Sequence, residues 1–284
     1  MTNCCQVGRA APDSYTPLGR YTNIGGLNSY VSDDSAPSTT KPRALLLLLP
    51  DGFGLAKHNL ILADEFAKEG YRVVIPDYFE GDPLPIQVLK RDRALSIDDQ
   101  PWPERDKQVL RDLDFEAWLR RHDHDRVSRL LEGVMTKISR DSAIVVGVGY
   151  CFGGKHVLRL GKSARLAAVA SFHPSFVEAE DMRGVRAPVY IGLAGEDDMV
   201  PASLSDDLRA WSSSGMEPNV AFGMETFPGV GHGFAARPDT DDEVVRGQYR
   251  RAFLRTLEHF AKFVPGRSAA RNERQNAQID RETI

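Results

Sequence analysis

Between Val146 and Gly154 an apolar run breaks into small residues around a single cysteine: Val146-Gly147-Val148-Gly149-Tyr150-Cys151-Phe152-Gly153-Gly154. Few folds accommodate such a join. The spacing Gly149-x-Cys151-x-Gly153 fits a strand that turns directly into a helix, with the cysteine at strained backbone angles on the turn. A side chain two residues before or after it would collide with the turn, which accounts for glycine on both flanks. The same turn puts Cys151 at a helix N-terminus, where unpaired N–H groups favour a thiolate. Two plainer readings stay open at this point, a small buried hydrophobe and a phosphate-cradling turn. A dinucleotide fingerprint would need a third glycine where Phe152 stands, and the Gly-Lys-Ser/Thr ending of a P-loop is absent.

Strands and helices alternate along the rest of the chain. Tyr21 to Ser32 reads as a hairpin around Gly25-Gly26, and Arg43 to Pro50 as a buried strand stopped by Asp51-Gly52. Leu60, Leu62, Phe66 and Ala67 recur at helical spacing before Gly70, and Tyr71 to Ile75 is the next strand. A helix over Arg126–Ser139 precedes the cysteine turn. After it come a helix from about Gly154 to Leu160, strands at Leu166–Phe172 and Val189–Ala194, and a helix at Ser203–Ser213. A strand near Val220–Phe227 and a helix over Asp242–Phe263 complete the pattern. It implies an α/β fold with a mostly parallel sheet, helices on both faces, and ligands approaching the carboxyl ends of the strands. Residues 1–20 are expected to be irregular, 21–264 to form one domain, and 265–284 to be a disordered tail. Alternation lapses from 79 to 125, a proline-rich, charged stretch with two of the three tryptophans, read as an insertion forming a lid or pocket wall.

The longest apolar run, Ala44 to Pro50, is too short to span a bilayer, and the N-terminus offers no signal-peptide core. A net charge of −4 gives no general attraction to nucleic acid or an anionic membrane. The three cysteines, Cys4, Cys5 and Cys151, form neither a disulfide framework nor a metal-ligand spacing, which suits a reducing, cytoplasmic compartment. Cys4-Cys5 is read as ordinary free thiols.

Two further strand ends carry reactive groups. Gly195-Glu196-Asp197-Asp198 puts carboxylates after one strand, and Gly231-His232-Gly233 puts a histidine between glycines after the next. The order nucleophile, acid, histidine is that of α/β-hydrolase triads. His173 ends the strand beside the cysteine strand, and Pro174 stops that strand, so the imidazole is expected to project into the crevice and line an acyl pocket. Trp118 and His122 are weaker candidates from the insertion.

With these motifs in place the sequence resembles the dienelactone hydrolase family of α/β-hydrolases over residues 20–263. The matching stretches are Gly149-Tyr150-Cys151-Phe152-Gly153-Gly154, Gly195-Glu196-Asp197-Asp198-Met199-Val200-Pro201, Gly231-His232-Gly233-Phe234-Ala235 and Pro50-Asp51-Gly52-Phe53-Gly54. Phe115-Glu116-Ala117-Trp118-Leu119, Arg121-His122 and Ser171-Phe172-His173-Pro174-Ser175 are similar to the fungal branch. The resemblance implies Cys151 as nucleophile, His232 as base, Asp197 as the orienting acid with Asp198 its competitor, and the N–H groups of Phe152 and Gly52 as an oxyanion hole. The sequence departs from the family twice. Asp51 stands where the family has a glutamate that pairs with the resting thiol. Ala236 stands where some members have an arginine for a substrate carboxylate, with Arg237 one residue further on.

The reading is a hydrolase of a small-molecule ester, lactone or thioester acting through an acyl-enzyme, a monomer or homodimer with no cofactor, metal, nucleic acid or membrane partner. Acyl or thioester transfer in a biosynthetic pathway and a non-catalytic binding protein on a hydrolase scaffold are the alternatives.

Overall fold

The computed structural model describes residue 11 and residues 14–33, 44–92, 94–201 and 203–265. Cys4-Cys5, most of the connection read as the 33–42 loop, and the tail from 266 onward lie outside the described residues.

Eight strands form one sheet in the order β1-β2-β4-β3-β5-β6-β7-β8. The hairpin is β1 (Arg20–Ile24) and β2 (Leu27–Ser32). It joins the sheet antiparallel through β4 (Arg72–Pro76), and from β4 onward all pairings are parallel. The order explains why β3 (Leu45–Leu49) is five consecutive leucines. It lies between β4 and β5 (Val145–Tyr150), is covered on both faces, and so is apolar at every position rather than at alternate ones.

Leu45, Leu47 and Leu49 face a core shared with Val127, Leu131 and Val134 of α5 (His124–Asp141) and Val157 and Leu158 of α6 (Phe152–Leu160). Leu46 and Leu48 face the opposite core, with Leu60, Leu62 and Phe66 of α1 (Lys57–Lys68) and Leu257 and Phe260 of α9 (Glu243–Ala261). The remaining parallel strands are β6 (Val169–Phe172), β7 (Val189–Glu196) and β8 (Phe222–Gly231).

Several boundaries differ from the sequence reading for local reasons. Helix α6 begins at Phe152 rather than Gly154, because the cysteine itself is the cap residue. Helix α5 begins at His124, two residues early, because Asp123 accepts from the N–H groups of Asp125 and Arg126. Strand β7 continues past Ala194 and β8 past Phe227, through a register shift that brings Glu196 opposite Gly231. The strand expected at Leu166–Phe172 is shorter, starting at Val169. A short helix, α7 (Ala179–Met182), opens with a reciprocal cap between Glu178 and Asp181 that the apolar pattern does not signal, and α8 (Leu204–Gly215) lies between β7 and β8.

The irregular stretch before α5 holds α2 (Gln87–Lys90), α3 (Glu104–Arg111) and α4 (Phe115–Arg121). It is pinned by Trp118, whose indole N–H donates to the Asp82 carbonyl at 2.8 Å and whose ring packs on Phe79 and Phe152. Among the described residues no helix is long and apolar enough to cross a membrane.

Candidate active site

The cysteine turn has the geometry its glycines demand. Cys151 sits at φ 50° and ψ −115°, a left-handed conformation that costs an ordinary residue about 1–3 kcal/mol and persists only when its surroundings enforce it. The enforcement is steric. A Cβ on Gly149 would lie 2.2 Å from the Gly153 carbonyl oxygen, and one on Gly153 would lie 2.2 Å from the Leu49 carbonyl oxygen. Strand β5, helix α6 and strand β3 therefore meet backbone to backbone, and the Cys151 side chain is left at the carboxyl edge of the sheet, 3% exposed.

Three other strand ends bring groups to that sulfur. His232 follows β8 and Asp197 follows β7, with His232 Nδ1 2.8 Å from Asp197 Oδ2; both side chains are almost wholly buried. Asp197 Oδ1 also accepts from the Met199 N–H at 3.1 Å, which fixes the carboxylate plane. Asp198 is exposed. Burial alone would push the His232 imidazole down, but the Cys151 sulfur and the Asp197 carboxylate outweigh it and raise the group to about 9. The arrangement suits a histidine that holds a proton on Nε2.

Ser175, in the loop after β6, completes the cluster. Its Oγ lies 3.4 Å from the Cys151 sulfur and 3.5 Å from His232 Nε2. Sequence reasoning places this serine only within a matching stretch and gives it no role. A polar residue just past the proline that ends the strand beside Cys151 is the signal that could have found it.

Asp51 and Arg237 are both fully buried and bonded to each other, Nη1 to Oδ2 at 2.5 Å. The same carboxylate meets His58 Nε2 at 3.1 Å and accepts from Asn59 Nδ2 at 2.9 Å and the Phe53 N–H at 3.1 Å. Burial works against the charged form of Asp51, but His58 and Arg237 hold it well below the usual carboxylate range. The Arg237 guanidinium also lies over the Phe53 ring at 5.4 Å. Arg237, named from sequence as a substrate contact, is placed inside this network, and Asp51 is engaged by four groups. His58 and Asn59 escape a reading that traces their helix only from its apolar residues.

A groove of about 590 Å³ opens beside the cluster. Its apolar walls include Phe152, Phe176, Met199, Val200 and Leu204, each next to or just beyond a loop carrying Cys151, Ser175 or Asp197, and Leu119 and His122 come from the irregular stretch. Its Lys155 is ion-paired with Glu178 at 3.1 Å and Asp181 at 3.5 Å. His122 thus lines the groove, its Nε2 3.0 Å from Asp82 Oδ2, whereas Trp118 is buried behind it. His173 is fully buried at φ 35°, set edge-on to His232 with ring centroids 4.9 Å apart, and is not part of the groove lining. Among the described residues neither of its ring nitrogens has a hydrogen-bond partner, and burial together with His232 and Arg237 keeps it well below its ordinary value, hence neutral. Gly52 sits under Leu84 and Trp118, where a Cβ would lie 2.8 Å from Leu84 Cδ1, at the turn following β3. Among the described residues no three His, Cys, Asp or Glu side chains are grouped to hold a metal ion.

Comparison with known proteins agrees with this architecture. The sequence profile of the dienelactone hydrolase family matches residues 31–264. The chain is 27% identical over 266 residues to the hydrolase pyvD of Aspergillus violaceofuscus, covering 93% of this chain and 97% of that protein. It is 28% identical over 251 residues to dienlactone hydrolase 1 of Gibberella moniliformis, covering 85% and 88%. Among solved structures, a dienelactone hydrolase-like promiscuous phosphotriesterase from metagenomic libraries superposes with a TM-score of 0.60 at 18% identity over 87% of this chain and 98% of that one, a likeness of fold.

Proposed function

The chain belongs to the dienelactone hydrolase family, and from that premise we propose that it hydrolyses a small-molecule ester, lactone or thioester through a Cys151–His232–Asp197 triad. The observation that carries the reading is the convergence at one sheet edge of a strained cysteine, a histidine raised to about 9 beside it, and a buried carboxylate 2.8 Å from the far imidazole nitrogen.

In this mechanism the Cys151 thiolate attacks the substrate carbonyl and a C–S bond forms. The carbonyl oxygen becomes an oxyanion, held by the N–H of Phe152 at the positive end of α6 and by the N–H of Gly52 in the early loop. Collapse breaks the C–O bond, and the proton on His232 Nε2 passes to the leaving oxygen. Asp197 keeps the imidazole oriented and stabilises its charged form. Water then gives a proton to Nε2 as its oxygen attacks the thioester carbon. The C–S bond breaks, the acid leaves, and the thiolate and imidazolium are restored. A thiolate is a good leaving group as well as a good nucleophile, so activated esters, enol lactones and thioesters are favoured over amides.

The test is to incubate the protein with a panel of activated esters and lactones and to weigh the intact chain during turnover. An acyl adduct on the Cys151 peptide, absent from a folded Cys151→Ala variant that is inactive, is the expected result. Hydrolysis retained by folded Cys151→Ala would overturn the nucleophile assignment.

A further inference from the structure

We propose that Ser175 is a second hydrogen-bond donor to the Cys151 sulfur, holding the thiolate beside His232 before attack and receiving it again when it leaves in deacylation. The proposal rests on the nucleophile reading above and assigns a positioning residue that the triad does not include.

The placement of Ser175 is built. Its own N–H donates to the Cys151 carbonyl at 3.1 Å, so the serine is tied to the nucleophile's backbone. The loop carrying it is bracketed by two non-glycine residues in left-handed conformations, His173 at φ 35° and Phe176 at φ 59°. Between them Pro174 presses on α6 so closely that a Cβ on Gly154 would lie 2.9 Å from the Pro174 Cα. Strain of this kind persists where surroundings enforce it, and here it delivers one buried hydroxyl to one sulfur. Ser171, four residues earlier, shows what a buried serine does for structure alone: its Oγ donates to the Gly154 carbonyl at 3.1 Å. Ser175 Oγ instead meets the sulfur at 3.4 Å and His232 Nε2 at 3.5 Å.

A hydroxyl has one proton to give and two lone pairs to offer. Donating to the sulfur and accepting from the imidazolium N–H satisfies both neighbours in the charged resting pair. The donation matters whenever negative charge sits on the sulfur. Before attack, and again as the C–S electron pair returns to sulfur in deacylation, Ser175 stabilises that charge beside the imidazolium; in the acyl-enzyme between these steps the sulfur is a neutral thioester. No proton passes through Ser175 in either step.

The experiment uses the full-length protein and reads Cys151 directly. Alkylation by iodoacetamide is followed against pH, with the Cys151 peptide resolved by mass spectrometry from Cys4 and Cys5. Removing one charge-assisted donor is expected to raise the alkylation midpoint of Ser175→Ala by about one unit and to lower the neutral-pH rate ~10-fold. Steady-state kinetics should show the loss mainly in kcat, with the melting temperature unchanged. Ser175→Thr, which keeps a hydroxyl, should restore the wild-type profile. An unmoved alkylation profile in Ser175→Ala overturns the proposal, whether or not the melting temperature falls. Because the alkylation readout needs no turnover, hydrolysis surviving in Cys151→Ala would sink the nucleophile reading while leaving the thiol–hydroxyl coupling separately measured.

Discussion

Replacing Asp197 by asparagine removes one charge and one acceptor from the site. The introduced amide would keep an oxygen for the Met199 N–H, now accepted at 3.1 Å by Oδ1, which turns its nitrogen toward His232 Nδ1, so the buried contact at 2.8 Å would lose its charge and set a donor against the imidazolium N–H. A buried charge-assisted hydrogen bond is worth about 1.5–3 kcal/mol, or one to two pH units at about 1.4 kcal/mol per unit. The sign follows from the direction of the native shift. His232 is raised to about 9 from 6.5, so its charged form persists above neutrality, and loss of an anionic partner must bring that upper edge down. The alkaline limb of kcat/KM against pH on an activated ester should therefore move down by about one to two units. At neutral pH the rate should fall roughly 10²- to 10³-fold, less than the roughly 10⁴-fold of the serine-protease example, because a thiol needs less help to ionise. Asp198→Asn, at an exposed carboxylate, is the matched control and should leave both limb and rate unchanged. Equal losses in the two variants, or an alkaline limb that stays put in Asp197→Asn, would refute the orienting role.

Gly153→Ala drives a Cβ to 2.2 Å from the Leu49 carbonyl oxygen and is expected to cost about 3 kcal/mol in urea unfolding; a melt indistinguishable from wild type would contradict the steric account of the turn. His173→Phe keeps a ring against His232 and Phe234 while removing two buried nitrogens that have no partners among the described residues, so calorimetry should show a melting temperature equal to or above wild type, and a clear drop would mean that the imidazole makes a hydrogen bond essential to the fold. Arg237→Ala strands a buried carboxylate and should destabilise by about 3–5 kcal/mol, most of which the double variant Asp51→Asn/Arg237→Met should recover. If the single variant is as stable as wild type, Arg237 is not holding Asp51.

The elements that position the site are legible because each leaves a local mark. Five leucines in a row require a strand covered on both faces, and glycines two residues either side of Cys151 require a backbone crossing. That His232 meets a carboxylate is legible from the order of groups after two strands, and of Asp197 and Asp198 it is the buried Asp197 that lies against Nδ1. What stays hidden depends on register and on long-range pairing. The true ends of β7 and β8 follow from a shift in their mutual register, which neither strand's own pattern records. Pro174 ends its strand and so points His173 at the crevice on sequence grounds, but a left-handed turn at 173 sets the ring against His232, Ser175 turns its hydroxyl to the Cys151 sulfur, and the groove position goes to Phe176.

The Asp51–Arg237 pair shows how far apart cause and effect can lie along a chain. The two residues are separated by 186 positions, and nothing near either one announces the other. Once paired, they act on the early loop. Asp51 is gripped by Arg237, His58, Asn59 and the Phe53 N–H, and Asn59 also donates to the Gly54 carbonyl at 2.9 Å, so residues 51–54 are fixed from both sides of Gly52. A backbone donor aimed at a developing oxyanion is effective only if it need not reorganise as charge appears. A buried ion pair is a poor way to gain stability but a strong way to fix one arrangement, since breaking it strands a charge. The network thus converts a costly burial of charge into rigidity at Gly52, the place where the proposed chemistry needs it. It does so with an acid that already has four partners of its own and a guanidinium directed at that acid.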